Sequence, residues 1–182
     1  MELNVQTVRE ALSALGDRLH RLGNVEIVIS GGGSALLSGA LPPTSVTADI
    51  DVIFFRPPAD NDEILRLAGE VGRERSLAPD WLNEHARLYF HELPRGWEHR
   101  TTLVGEFRHL KVLAIGRRDF IAMKFYAHRA GDLEHLKKID PPLSPDDLSF
   151  VLAHFAEMER EGIGNRTQIE MARMIVTGWA VS

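Results

Sequence analysis

A β-branched run, Val25-Glu26-Ile27-Val28-Ile29, feeds directly into Ser30-Gly31-Gly32-Gly33-Ser34, and a second apolar segment downstream carries Asp49-Ile50-Asp51. The first run reads as a strand entering a turn, because β-branched residues suit a pleated surface and successive glycines break it. Glycine also lets a backbone approach a ligand closely. Where such a turn opens a helix, the free amide groups and the helix dipole favour a phosphate. Ala35-Leu36-Leu37 suits that short helix, and after the Pro42-Pro43 break the segment Thr47 to Phe55 reads as a second strand. Side chains on a strand alternate faces, so Asp49 and Asp51 project from one side and Ile50 and Val52 from the other. Two carboxylates so placed can share a hard divalent cation such as Mg²⁺, which completes its shell with water and substrate phosphates. Singly, a glycine run is more often a tight turn and Asp-x-Asp more often a solvated strand edge. The two in order point to a phosphate and metal site.

Around this pair the chain alternates helix and strand patterns. Val5, Val8, Leu12, Leu15, Leu19 and Leu22 recur at helical steps, with Asn4 as the N-cap and Gly23-Asn24 as the end. After Pro57-Pro58, Asp60 to Arg75 reads as an amphipathic covering helix. Leu88-Tyr89-Phe90, Thr101 to Phe107 and Leu110 to Ile115 read as strands, the last two as a hairpin. From Arg118 helical spacing returns, and Ser144-Pro145-Asp146-Asp147 marks a further helix start. Asp140-Pro141-Pro142-Leu143 is the expected linker between an α+β domain over 1–140 and a C-terminal helical extension packed on it over 141–182.

Composition narrows the function classes. The 182 residues, 44% apolar, can bury one core with at most a small appendage. A net charge of −5 provides no overall basic field for long nucleic acid. The absence of cysteine removes disulfides, thiolate metal sites and cysteine nucleophiles. No apolar stretch reaches membrane-spanning length and no leader pattern opens the chain, so a soluble, cytoplasmic protein is the expectation. His85, His91, His99 and His109 lack paired zinc spacing, and Trp81 reads as a packing anchor.

Over Ile27 to Phe55, the strand, Gly-Gly-Ser turn, short helix and Asp-x-Asp strand resemble the DNA polymerase β-like nucleotidyltransferase superfamily. Gly32-Gly33-Ser34-Ala35 and Thr47-Ala48-Asp49-Ile50-Asp51 are similar to elements of its abortive-infection, toxin–antitoxin-associated members, and Met123-Lys124, Ala127, Arg129 and Asp132 to a helix that follows in them. The resemblance implies an α+β fold, a mixed sheet flanked by helices with further C-terminal helices. It implies that Asp49 and Asp51 are catalytic and ligate Mg²⁺, two ions if the site is complete, while Gly32, Gly33 and Ser34 hold the triphosphate and Lys124 faces the nucleotide. The implied reaction moves a nucleoside monophosphate from a nucleoside triphosphate to an acceptor, which could be a protein, an RNA or a small molecule. A toxin–antitoxin or phage-defence setting with a protein partner would accompany it.

This sequence departs from the pattern at three places. Active relatives use a third carboxylate on a later strand, for which Glu106 is the best candidate here and Glu84 the second. Ser45 stands where relatives often carry an arginine, and His135 where they often carry an acid. Lys124, His128, Arg129 and Asp132 fall at steps that suit one polar helix face, either an active-site wall or a solvated ion-paired surface. These departures keep a second interpretation open, a catalytically incomplete protein of the same fold that acts as a binding or antitoxin-like module. A GTPase-type phosphate loop is disfavoured because no Lys-Ser/Thr pair follows the glycines.

Overall fold

A computed structural model describes residues 2–57 and 61–180. The elements run α1 (Val5–Arg18), β1 (Val25–Ser30), α2 (Gly31–Ser38), β2 (Ile50–Arg56), α3 (Asn61–Glu74), β3 (Leu82–Asn83), β4 (Thr102–Phe107), β5 (Leu110–Ala114), α4 (Arg117–Ala127), α5 (Ala130–Lys138), α6 (Pro145–Glu161) and α7 (Arg166–Trp179). Pro58 and the expected start of α3 at Asp60 lie outside the described residues. The fold is α+β, with a mixed five-stranded sheet in the order β3-β2-β1-β5-β4 and helices on both faces. No helix among the described residues is long and apolar enough to cross a membrane.

The strand patterns decide which helices cover which face. Ile27 and Ile29 of β1, Ile50 and Val52 of β2, and Val112 and Ala114 of β5 share one cluster with Val8, Leu12 and Leu15 of α1 and Ile64, Ala68 and Val71 of α3. Val28 and Ile53 join the opposite cluster with Phe120 and Phe125 of α4, Phe155 of α6 and Ile169 of α7. The expected alternation in β2 is therefore present: Ile50 and Val52 are buried under α1 and α3, while Asp51 faces the side occupied by α4. Trp81 is completely buried and donates its indole N–H to the Ala68 carbonyl at 2.8 Å, as befits a packing anchor.

Caps account for the helix starts. The Asn4 side chain accepts the Thr7 amide at the head of α1, and Ser144 forms a capping box with Asp147 behind Pro145 at the head of α6. Two segments depart from the periodicity reading. Leu88-Tyr89-Phe90 is not a strand but part of a 3-10 stretch, His85–Glu92. The continuous helix face expected for Lys124, His128, Arg129 and Asp132 is broken: α4 ends at Ala127, His128 takes a left-handed φ of 36°, and Arg129 caps a new helix, α5.

α6 and α7 pack on α4 and close the second cluster with Leu148, Val151, Met158, Ala172 and Val176.

Candidate active site

One row across the sheet sets the position of the site. Ser30 at the end of β1 pairs with Asp51 near the start of β2, and Asp51 pairs with Asn83 at the end of β3. Asp49 lies just before β2, on the same side as Asp51, and its Oδ2 accepts a 3.1 Å hydrogen bond from the Asn83 amide. Asn83 is itself nearly buried and accepts the His85 amide on its Oδ1, so its orientation is fixed from both ends.

The glycines bring α2 against this row. Gly31 has a left-handed φ of 68°, and a Cβ there would stand 2.5 Å from the Asp51 Oδ2. A Cβ on Gly32 would meet the Thr47 hydroxyl at 2.8 Å. Neither position admits a side chain beside the carboxylates. The helix begins at Gly31, earlier than Ala35, with Ser30 as an N-cap whose side chain makes no capping bond. The first-turn amides of Gly31, Gly32 and Gly33 thus sit at the α2 N-terminus without a side-chain acceptor, a setting that favours an anion.

Two of the residues expected at the phosphate have other surroundings. A Cβ on Gly33 would overlap Ile50 Cδ1 at 2.3 Å, so that glycine serves the contact of α2 with β2. Ser34 is completely buried away from the cleft lining, and among the described residues its hydroxyl has no partner. Any part that Gly33 plays toward a phosphate is confined to its backbone amide.

On the facing wall, Lys124 from α4 is buried and paired with Asp132 Oδ1, while Arg129 Nε reaches Asp132 Oδ2 at 2.8 Å. Asp132 therefore fixes both cations, and their proximity holds its carboxyl below the usual range despite burial. Lys124 and Arg129 line the cleft together with Gly32, Thr47, Asp49, Asp51, His85 and His135. The acid pair, the glycine end of α2 and the two cations converge there. Asp51 is pushed up to about 6, first by burial and then by the negative charge of Asp49, against the opposing pull of Lys124 and His85. A half-buried pair of hard oxygen ligands in mutual repulsion suits a divalent cation, so the residues fit Mg²⁺ with the remaining ligands supplied by substrate and water.

Glu106 is not part of this constellation. It pairs with Lys111 on β5, in the row that continues through Glu26 to Arg56, four residues along β1 from Ser30, or about 13 Å. It is exposed on β4, three strands from β2, so the hairpin was legible but its place in the sheet was not. Glu84 is bonded to Arg87 at 3.0 Å. Among the described residues no three His, Asp or Glu side chains gather as a metal site. The sheet neighbour of the acid pair is instead the neutral Asn83, which sequence patterning missed because a two-residue strand has no periodicity to detect. Ser45 does not line the cleft, and its amide closes a turn onto Pro42. His135 does line it, with a buried Nδ1 that lacks a partner among the described residues; burial first, and Lys124 next, keep its imidazole below the usual value. His85 also lines the cleft.

A family model described as a nucleotidyltransferase of unknown function (DUF6036) matches residues 4–140. Neither the curated proteins nor the solved structures yield a match to the chain.

Proposed function

The chain belongs to this nucleotidyltransferase family, and we propose that it transfers a nucleoside monophosphate from a nucleoside triphosphate to an acceptor in a Mg²⁺-dependent reaction. The observation that carries this is the convergence of Asp49, Asp51, the glycine N-terminus of α2 and the Lys124–Arg129 pair on one cleft. The amides of Gly31 and Gly32 would donate to the triphosphate oxygens, and Lys124 and Arg129 would offset their charge. Arg129 supplies positive charge that the serine at position 45 cannot. An acceptor oxygen attacks the α-phosphorus, a new P–O bond forms, and the bond to pyrophosphate breaks. Mg²⁺ held by Asp49 and Asp51 would stabilise the charge that develops on the phosphoryl oxygens and the leaving group. The acceptor (protein, RNA or small molecule), a protein partner, a cytoplasmic location and the toxin–antitoxin or phage-defence setting belong to this proposal through the resemblance.

Incubation with each α-labelled triphosphate and Mg²⁺, across protein, RNA and small-molecule acceptors, tests the assignment. Label transfer lost in Asp49→Ala and Asp51→Ala is the expected outcome. Triphosphate binding that is absent, or indifferent to both substitutions, would sink it. A second interpretation, a binding or antitoxin-like module, draws on the neutral Asn83, rather than a carboxylate, standing beside the acid pair. It expects nucleotide binding that depends on the acids, with no transfer to any acceptor.

A further inference from the structure

Beside the polar cleft lies a second cavity, of about 190 Å³, that shares Asp51, Ala86, Tyr89, Lys124 and Arg129 with it. Its other walls are of different chemistry: Ile53, Leu93, Phe120 and Met123 are apolar, and the shared Tyr89, half exposed, offers a ring at the side. A triphosphate has no use for such walls, whereas a flat heteroaromatic ring does. Because five residues border both spaces, one ligand can keep its charged end in the cleft and its ring in the cavity.

The cavity also has an oriented side-chain amide. Gln168 of α7 donates its side-chain Nε2 to the Tyr126 carbonyl at 2.9 Å. Only the nitrogen of that amide can donate, so the bond fixes which end is which and leaves Oε1 as an acceptor. Among the described residues nothing donates to it. A base entering from the phosphate side leads with the edge opposite its glycosidic bond. Adenine brings an amine at the position opposite that bond, whereas guanine and uracil carry a carbonyl oxygen there that would oppose Oε1, their N–H donors lying to its side. Cytosine carries the amine on a smaller ring that covers less of the apolar wall.

We propose that this cavity is the base pocket of the nucleotidyltransferase site and that Gln168 selects a base whose amine lies opposite its glycosidic bond, adenine foremost. The proposal rests on the nucleotidyltransferase assignment above. Its test is equilibrium binding by calorimetry in Mg²⁺, using α,β-methylene triphosphates whose transferable bond is blocked. Three such probes are compared: the adenosine compound, its purine riboside counterpart lacking only the amine, and the uridine compound. Inorganic tripolyphosphate serves as a probe without a base. The adenosine compound should bind about tenfold tighter than the purine riboside one, the scale of one hydrogen bond to an oriented acceptor. In Gln168→Leu that ratio should fall to near one. Met123→Trp, which fills the cavity, should weaken both nucleosides while tripolyphosphate affinity stays the same.

Equal affinity for the amine-bearing and amine-free probes, or a preference that survives in Gln168→Leu, overturns the base pocket. The nucleotidyltransferase assignment then stands, provided that tripolyphosphate still binds in a manner that requires Asp49 and Asp51. Failure of every triphosphate to bind overturns both.

Discussion

Asp51 is strained by its own site, and that strain is measurable. Its folded-state value of about 6 lies above that of an aspartate in an unfolded chain, so the folded protein holds the extra proton and loses stability as pH rises through 6. The penalty is complete above about pH 6 and absent below about pH 4. Asp51→Asn removes it, and should stabilise the metal-free protein by about 1–2 kcal/mol at pH 7.5, with allowance for solvent screening. Thermal melts should show the gain vanish near pH 4, and an equal gain at both pH values would place its origin elsewhere. The same proton competes with Mg²⁺, so metal affinity should weaken by about tenfold per pH unit below 6. Asn83 is the complementary residue. Asn83→Asp would replace a donor to Asp49 with a third negative charge, lowering the melting temperature of the metal-free protein and enlarging the stabilisation by Mg²⁺ or Mn²⁺. If the metal-dependent shift does not grow, Asn83 does not occupy the third ligand position. The Asp49 and Asp51 pair was legible because strand alternation is a local property. Asn83 and Gln168 were not, since one sits on two residues of strand and the other is an ordinary polar residue in an amphipathic helix.

At the scale of elements, caps transmitted more information than periodicity. Asn4, Ser144 and Pro145 announce helix starts in the sequence and occupy those positions in the fold, because capping needs a side chain within three residues of its partner. Sheet order needs long-range contacts, so the placement of Glu106 and of 88–90 could not be read. Asp147 adds a tertiary bond to its cap: Arg117 of α4 reaches its Oδ2 at 2.7 Å while Ser144 donates to the same atom at 2.9 Å. Burial opposes the charge of Asp147, but the Ser144 and Arg117 hydrogen bonds outweigh it and hold the carboxyl below the usual range. A lowered folded value contributes stability above the unfolded value and loses it as pH falls through the folded one. Ser144→Ala should therefore cost about 1 kcal/mol at neutral pH. Asp147→Asn should destabilise at pH 7, and its deficit should shrink on acidification below about pH 4. Denaturant melts of both variants at pH 7 and pH 3 check this, and a deficit for Asp147→Asn undiminished at pH 3 would exclude an electrostatic origin.

For the whole molecule, the family match and the packing mark out different extents. The match stops at 140, yet the helices beyond it cover Phe120, Phe125 and Tyr126 of α4, the helix that carries Lys124 into the cleft. Leu148, Val151, Phe155 and Met158 of α6 and Ile169, Ala172 and Val176 of α7 are all buried in that contact. At about 1.5–3 kcal/mol for each large apolar side chain, their removal forfeits roughly 10 kcal/mol, on the order of the entire stability of a domain. A chain of residues 1–140 should therefore lack cooperative unfolding and associate through the bared α4 face. The α1 and α3 side of the sheet, whose cluster contains none of these residues, would retain helical signal by circular dichroism. Denaturant unfolding and light scattering of the 1–140 and full-length chains decide the matter. A monomeric 1–140 chain with a sharp transition would show that α6 and α7 are an accessory layer. The expected loss would show that the placement of Lys124 in the cleft depends on helices outside the matched region, and that any activity assay must use the full chain.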